Sequence, residues 1–287
     1  MKPVKPVLSF AAAIAFAAIA LPAAAQTVLN VNTALTTDDP MYAGLERMKA
    51  NVEKRSAGKL QIRIFPGSQL GKDEDVLEQA RAGANVAVLV DGGRLAPFVK
   101  EFGIMGAPYL VDNFDQVLRL QQSALFKGWV EKLRGAANLQ VLSFDWFQGH
   151  RHMLTNSPVK VPADLKGVRV RTPGAPVWLE TVRAMGATPT GMPWSEVYSA
   201  LQTRVIDGAE AQHPAVYGAR LYEVVKIITK TEHIYLITGI VTSRVWFDKL
   251  PADQQAILSE ESFAAGKGAS EATIASLADY EQKLREK

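Results

Sequence analysis

Three features of the sequence predict an α/β fold built on parallel strands. From Thr27 onward, short apolar runs alternate with helix-like segments. That order of strand, helix, strand, helix, strand lays parallel strands beside one another with helices over their faces. One run, Val-Ala-Val-Leu-Val at 86–90, is continuous rather than alternating, as suits a strand covered on both sides. The 287 residues contain no Cys, so disulfides, thiolate chemistry and Cys-zinc sites are excluded and the core alone must carry stability. A chain of this length buries enough surface for that, as one large domain or two medium ones.

The first 25 residues read as a secretory signal of the Sec type. Lys2 and Lys5 precede an apolar stretch from Val7 to Leu21, and Ala23-Ala24-Ala25 offers a cleavage site before Gln26. The stretch is Ala-rich and short for a membrane span, which needs about 20 strongly apolar residues. Its removal takes two of the 32 Lys and Arg and none of the 29 Asp and Glu, lowering the formal net charge from +3 to +1. Such a balance gives no reason to expect nucleic acid or an anionic membrane surface as partner.

The elements follow in order. Thr27–Leu35 reads as a strand. A helix spans 38–58, capped by Asp38 or Asp39, with Pro40 in its first position and Gly58 as its stop. Leu60, Ile62 and Ile64 alternate in a second strand that Pro66-Gly67 ends. Residues 72–83 form a helix with acids in its first turn, where the helix dipole favours them, and Gly83 after it. The aromatic-rich run 139–148 and the piece 150–155 read as two strands, with a hinge at Phe147–His150. Residues 164–172 end in a strand, 175–186 form a helix stopped by Gly186, 195–204 form a helix capped by Ser195, and 205–211 a short strand. The segment 220–231 reads as helix running into strand. The β-rich stretch 234–247 makes a return crossing near Leu236–Thr242, and the chain from Pro251 is helical to its end.

Enzyme signatures are missing: there is no G-x-S-x-G, G-x-x-x-x-G-K-[ST], H-E-x-x-H or G-x-G-x-x-G. His150 and His152 share a face at strand spacing but have no obvious third ligand, so no metal and no cofactor is expected. Arg169 and Arg171 also alternate, and spacing alone leaves both as solvated charges as readily as anion ligands. Arg151 and Arg171 lie beside Gly or Pro near strand ends, and a guanidinium is a rigid two-pronged donor for a carboxylate. Trp146, Phe147, Trp178 and Trp194 cluster near the same strand ends, as core or as site walls. Asp91 leaves the buried run 86–90 directly before Gly92-Gly93, either as a turn former or as a site carboxylate.

Taken in order, "PGSQLG" (66–71), "APYL" (107–110), "DLKGVRVRTP" (164–173), "MGATPT" with "MPWSEVYSALQT" (185–203), "VIDGAEA" (205–211) and "YEVVKIITKTEH" (222–233) resemble the solute-binding proteins of TRAP transporters, the tripartite ATP-independent periplasmic family. The resemblance spans essentially the whole mature chain. It implies a two-domain periplasmic-binding-protein fold, type II-like, with a cleft between two α/β domains joined by crossing strands and a long helix. Residues 26–148 with 237–276 would form the first domain, and 149–236 with 277–287 the second. It further implies a monomer in the periplasm that captures an organic acid and delivers it to a membrane permease for sodium-driven uptake.

On the matching motifs, the family's carboxylate-binding arginine falls on Arg171 and its supporting arginine on Arg151. Asp91, Trp194 and Glu210 match further site positions, Phe147 stands at the cleft, and Arg169 is left as a domain-surface residue. Many members have Asn after the Glu of the "DGxE" motif; here it is Ala211, with Gln212 or His213 as replacement. Arg204 stands where Gly is frequent, and the chain ends inside a charged helix, earlier than many members. The ligand expected is a hydroxylated sugar acid or a 2-oxo or aromatic acid. The rivals are a secreted lyase or hydrolase, for which Glu74, Asp91, Glu196 and Glu210 are the available carboxylates, and a ligand-sensing ectodomain.

Overall fold

The computed structural model describes residues 26–287; the signal segment and its cleavage site near Ala25 lie outside them. In chain order the regular elements are β1 (Thr27–Asn32), α1 (Pro40–Arg55), β2 (Leu60–Phe65), α2 (Asp73–Arg81), β3 (Val86–Asp91), α3 (Gly92–Leu95), α4 (Phe114–Gln122), α5 (Ala124–Ala137), β4 (Leu139–Thr155), β5 (Arg169–Thr172), α6 (Pro176–Ala184), β6 (Thr188–Gly191), α7 (Val197–Gln202), β7 (Gly208–Ala211), α8 (His213–Gly218), β8 (Ile227–Ser243), α9 (Arg244–Phe247) and α10 (Ala252–Arg285). Among the described residues no helix is long and apolar enough to cross a membrane.

The strands join in the order β2-β1-β3-β8-β4-β7-β5-β6. The outer groups are parallel, β2-β1-β3 on one side and β7-β5-β6 on the other. Between them β8 and β4 run antiparallel to each other and to their neighbours. The sheet is therefore mixed: two parallel α/β halves are stitched by two long strands that belong to both. This is a two-domain periplasmic-binding fold.

Local chemistry accounts for the elements. Asp39 accepts from the Met41 amide at 2.9 Å, capping α1, whose Met41, Leu45, Met48 and Val52 recur at helical spacing and are buried. Every residue of β3 is buried, as the continuous apolar run requires. The two strands expected at 139–148 and 150–155 are one 17-residue strand, β4. It continues through the expected hinge by register shifts, one of them between Phe147 and Gly149, where Gly149 takes φ 117°. That conformation costs glycine little and other residues more.

Two other expectations change. Ser195 does not cap a helix, because a 3-10 turn Trp194–Glu196 comes first and α7 starts at Val197. Only a single 3-10 turn, Leu221–Glu223, precedes β8, since the β-branched Val224, Val225, Ile227 and Ile228 favour strand. The 34-residue α10 packs along β4, α1 and α8. Its Ser270 hydroxyl donates to the Asp145 carbonyl and accepts from the Phe147 amide, which pins the helix at the crossing.

Candidate functional site

A cavity of ≈ 480 Å3, counted with its open mouth, lies where the two halves meet, within the range of small-molecule sites. Strand ends and the turns behind them form its walls, the place where open α/β sheets hold ligands. Thr33, Asp73, Asp91 and Arg94 come from the β1–β3 side. Gln148, Arg151 and Thr238 come from the crossing strands, and Arg171, Pro173, Trp194 and Gln212 from the β5–β7 side.

Arg171 and Arg169 alternate on β5, yet their surroundings differ completely. Arg169 is half exposed and pairs with Asp207 at 2.8 Å. Arg171 is 1% exposed. Its Nε and Nη2 donate to the Met192 carbonyl at 2.9 and 2.7 Å, and its guanidinium lies 5.3 Å from the Trp194 ring centre. No carboxylate pairs with it among the described residues. Burial, then the neighbouring charge of Arg151, pushes its pKa down to about 9. A positive charge withheld from water without an anion is costly, and it faces a cavity that admits one. For Arg169→Ala, calorimetry should find ligand affinity changed by less than about 1 kcal/mol, as for exposed ion pairs; a loss as large as that from Arg171 would reverse the two roles.

Arg151 is buried but fully engaged. Its Nε and Nη2 meet both Glu210 carboxylate oxygens, the second at 2.7 Å, and Nη1 donates to Gln212 Oε1 at 3.2 Å. Glu210 also accepts from the Thr172 hydroxyl at 2.8 Å and lies 3.6 Å from His233 Nε2. Burial alone would raise the Glu210 pKa, but the Arg151 charge and hydrogen bonds, with His233 close by, outweigh it and hold it at about 2. Gln212 lines the cavity, whereas His213 stacks on His152 with ring centres 4.4 Å apart. Of the two candidates, it is Gln212 that reaches the cavity beside Ala211. It links Arg151 to Gln148 through a 2.9 Å bond.

The opposite wall centres on Arg94, which sequence spacing did not single out. Its Nε donates to Glu74 at 2.9 Å, its Nη1 meets Asp91, and Asp73 stands 3.7 Å away. Asp91 serves both readings given to it: its side chain caps α3 by accepting from the Arg94 amide, and it lines the cavity. Asp73 is 8% exposed and accepts only one long bond, from Asn32 at 3.5 Å. Burial, opposed by Arg94, raises its pKa to about 6. The one available signal for Arg94 was a basic residue one turn beyond a buried strand exit.

Two expected site residues do not reach the cavity. Phe147 stacks on Tyr235, ring centres 3.8 Å apart, in the core, because neighbours on a strand point to opposite faces. Glu210 sits behind Arg151 instead of lining the cavity. Of the aromatic cluster, Trp194 alone lines it; Trp146 is core and Trp178 backs Arg151. Glu74 and Glu196 are tied to Arg94 and Lys72 in ion pairs. Among the described residues no group of three or more His, Cys, Asp or Glu is placed to hold a metal.

Comparison with known proteins places this geometry. The profile of the family described as bacterial extracellular solute-binding protein, family 7, matches residues 31–287. The C4-dicarboxylate-binding periplasmic protein of Vibrio cholerae is 33% identical over 232 residues, 79% of this chain and 68% of its own. A TRAP periplasmic solute-binding protein of Ochrobacterium anthropi with bound L-fuconate is 31% identical with a TM-score of 0.89, covering 91% of this chain and 87% of that one. One from Escherichia fergusonii, in an open form without ligand, is 47% identical with a TM-score of 0.77, over 91% and 87% of the two chains. The chain belongs to family 7 of the bacterial extracellular solute-binding proteins, the periplasmic receptors of TRAP transport.

Proposed function

We propose that this protein captures a small monocarboxylate in the periplasm, without turnover, and passes it to a TRAP permease for sodium-coupled uptake. One observation carries the reading: Arg171 is buried, faces the cavity and has no carboxylate partner among the described residues. A ligand carboxylate supplies the missing anion, through charge-assisted hydrogen bonds of about 1.5–3 kcal/mol each. Arg151, held in place by Glu210, supports that end electrostatically, and the Trp194 face excludes water from the contact.

The far wall argues for a single carboxylate. Among the described residues lining that wall Arg94 is the one cation, and Asp73, Glu74 and Asp91 already surround it, so a second carboxylate would meet net negative charge. Asp73 keeps unused acceptor capacity, and Thr33, Thr238, Gln148 and Gln212 are neutral hydrogen-bonding groups on the same cavity. Ligand hydroxyls satisfy such a set, which favours a polyhydroxylated acid of the kind L-fuconate represents in its relative.

The domain division proposed follows the pairing: β4 joins β7 only from His152 onward, and β8 joins β3 only from Thr238 onward. Residues 26–148 with 237–276 then move against 149–236 with 277–287. The better superposition on the less similar, ligand-bound relative than on the open one is the order expected of a closed cleft. The receptor acts as a monomer. A thermal-shift screen of organic acids, with mass spectrometry of the recovered ligand, tests the reading. Polyhydroxylated monocarboxylates should raise the midpoint and return intact; consumption of the ligand would overturn it.

A further inference from the structure

We infer that Trp178 is the positioning residue that couples carboxylate capture to closure, a reading that rests on the proposed organic-acid cleft. Trp178 follows Arg171 by one turn and a half-turn of helix: Pro173-Gly174 ends the strand, Pro176 starts α6, and the indole emerges on its first turn. It is 1% exposed and touches both halves of the molecule. On its own side, the Arg151 guanidinium lies 4.8 Å from its ring centre. On the other side, its Nε1–H donates to Asp91 Oδ1 at 3.2 Å, at the end of β3.

The opposing half is shaped to receive it. A methyl group at Gly93 would overlap the indole nitrogen, and one at Gly106 would come within 3.0 Å of it. Two residues without side chains thus form a socket for a tryptophan that the other half supplies. An indole buries about 150–250 Å2 and needs a partner for its N–H; the socket and Asp91 provide both. A cation over its face is attracted more strongly once water is gone, so the ring seats best when Arg151 is held in the desolvated, liganded geometry.

Opening the cleft would return the indole and the Asp91 oxygen to water. The Lys72–Glu196 pair also crosses the mouth, at 2.7 Å, but both side chains are about half exposed, and such pairs contribute little. Trp178 is therefore a buried contact between the halves that opening would break and that touches the ligand-side arginine. Contacts confined to one state shift its population and lengthen its lifetime.

The test uses the full mature chain with L-fuconate as first probe and the acids of the thermal screen behind it. Dissociation is followed by stopped flow and closure by small-angle scattering. Trp178→Phe, which keeps a ring but loses the N–H bond, should dissociate the acid at least tenfold faster with association little changed. Gly93→Ala, which keeps the tryptophan but blocks its seat, should act in the same direction and leave the liganded radius of gyration near the unliganded one. Unliganded unfolding midpoints close to the parent's separate this from a structural defect. Parental dissociation rates in both variants would overturn the inference while leaving the carboxylate site intact. Failure of the parent to bind any acid would instead bring down the underlying reading, and this one with it.

Discussion

Arg171→Ala is expected to weaken ligand binding by about 2–5 kcal/mol, the usual cost of truncating one partner of a buried charge pair, or more than tenfold in Kd. The same substitution should leave the unliganded protein as stable as before, or more so. The reason lies in the geometry: the guanidinium is buried, its only hydrogen-bond partner among the described residues is the Met192 carbonyl, and burial pushes its pKa down to about 9. Truncation gives up the Met192 bonds but loses no ion pair and relieves a buried charge that the free protein holds at a cost. Isothermal calorimetry and thermal unfolding, run together, check both halves. Parental affinity would remove Arg171 from the site.

Glu210→Ala should do the opposite. It strands Arg151, 5% exposed, beside Arg171 with no carboxylate of its own, and breaking a buried pair in this way costs about 3–5 kcal/mol of stability. The effect has a pH signature. The Glu210 pKa is lowered to about 2 in the folded chain, against roughly 4.3 when unfolded. Its contribution is thus fully present above the unfolded value and is lost as pH falls from there through 2. Urea unfolding at pH 7 should show the full deficit, and the gap between variant and parent should narrow below pH 4. A pH-independent deficit would mean that packing, not charge, is what Glu210 supplies.

The halves of the fold were legible because their signals are local. Caps, stop glycines and the period of apolar residues located α1, β2, α2 and β3 within a few residues. The stretch 92–138 carried no assigned element, although it holds α4 and α5; the continuity of β4 through Gly149 depends on pairing with β8, which no local pattern reports. The site shows the same division. Spacing put Arg169 and Arg171 on one face and could not separate them, because what distinguishes them is Asp207 beside one and a closed cavity beside the other. The family motifs singled out Arg171, which is buried at the cavity, whereas the aromatic run drew Phe147 towards the cleft when strand alternation turns it into the core. Arg94 and Asp73 were missed since their meaning arises only when α2, α3 and β3 converge. Trp178 could be placed near the cleft from sequence, but its socket could not, because Gly93 and Gly106 are far from it along the chain.

The central claim is that a ligand carboxylate completes the charge of Arg171 in this cavity. A crystal structure of the protein with a sugar monocarboxylate such as L-fuconate tests that most directly. The account predicts the carboxylate within hydrogen-bond distance of the Arg171 guanidinium, with ligand hydroxyls directed toward Asp73. A carboxylate seated instead on Arg94, or a ligand bound outside the cavity with Arg171 untouched, would contradict it.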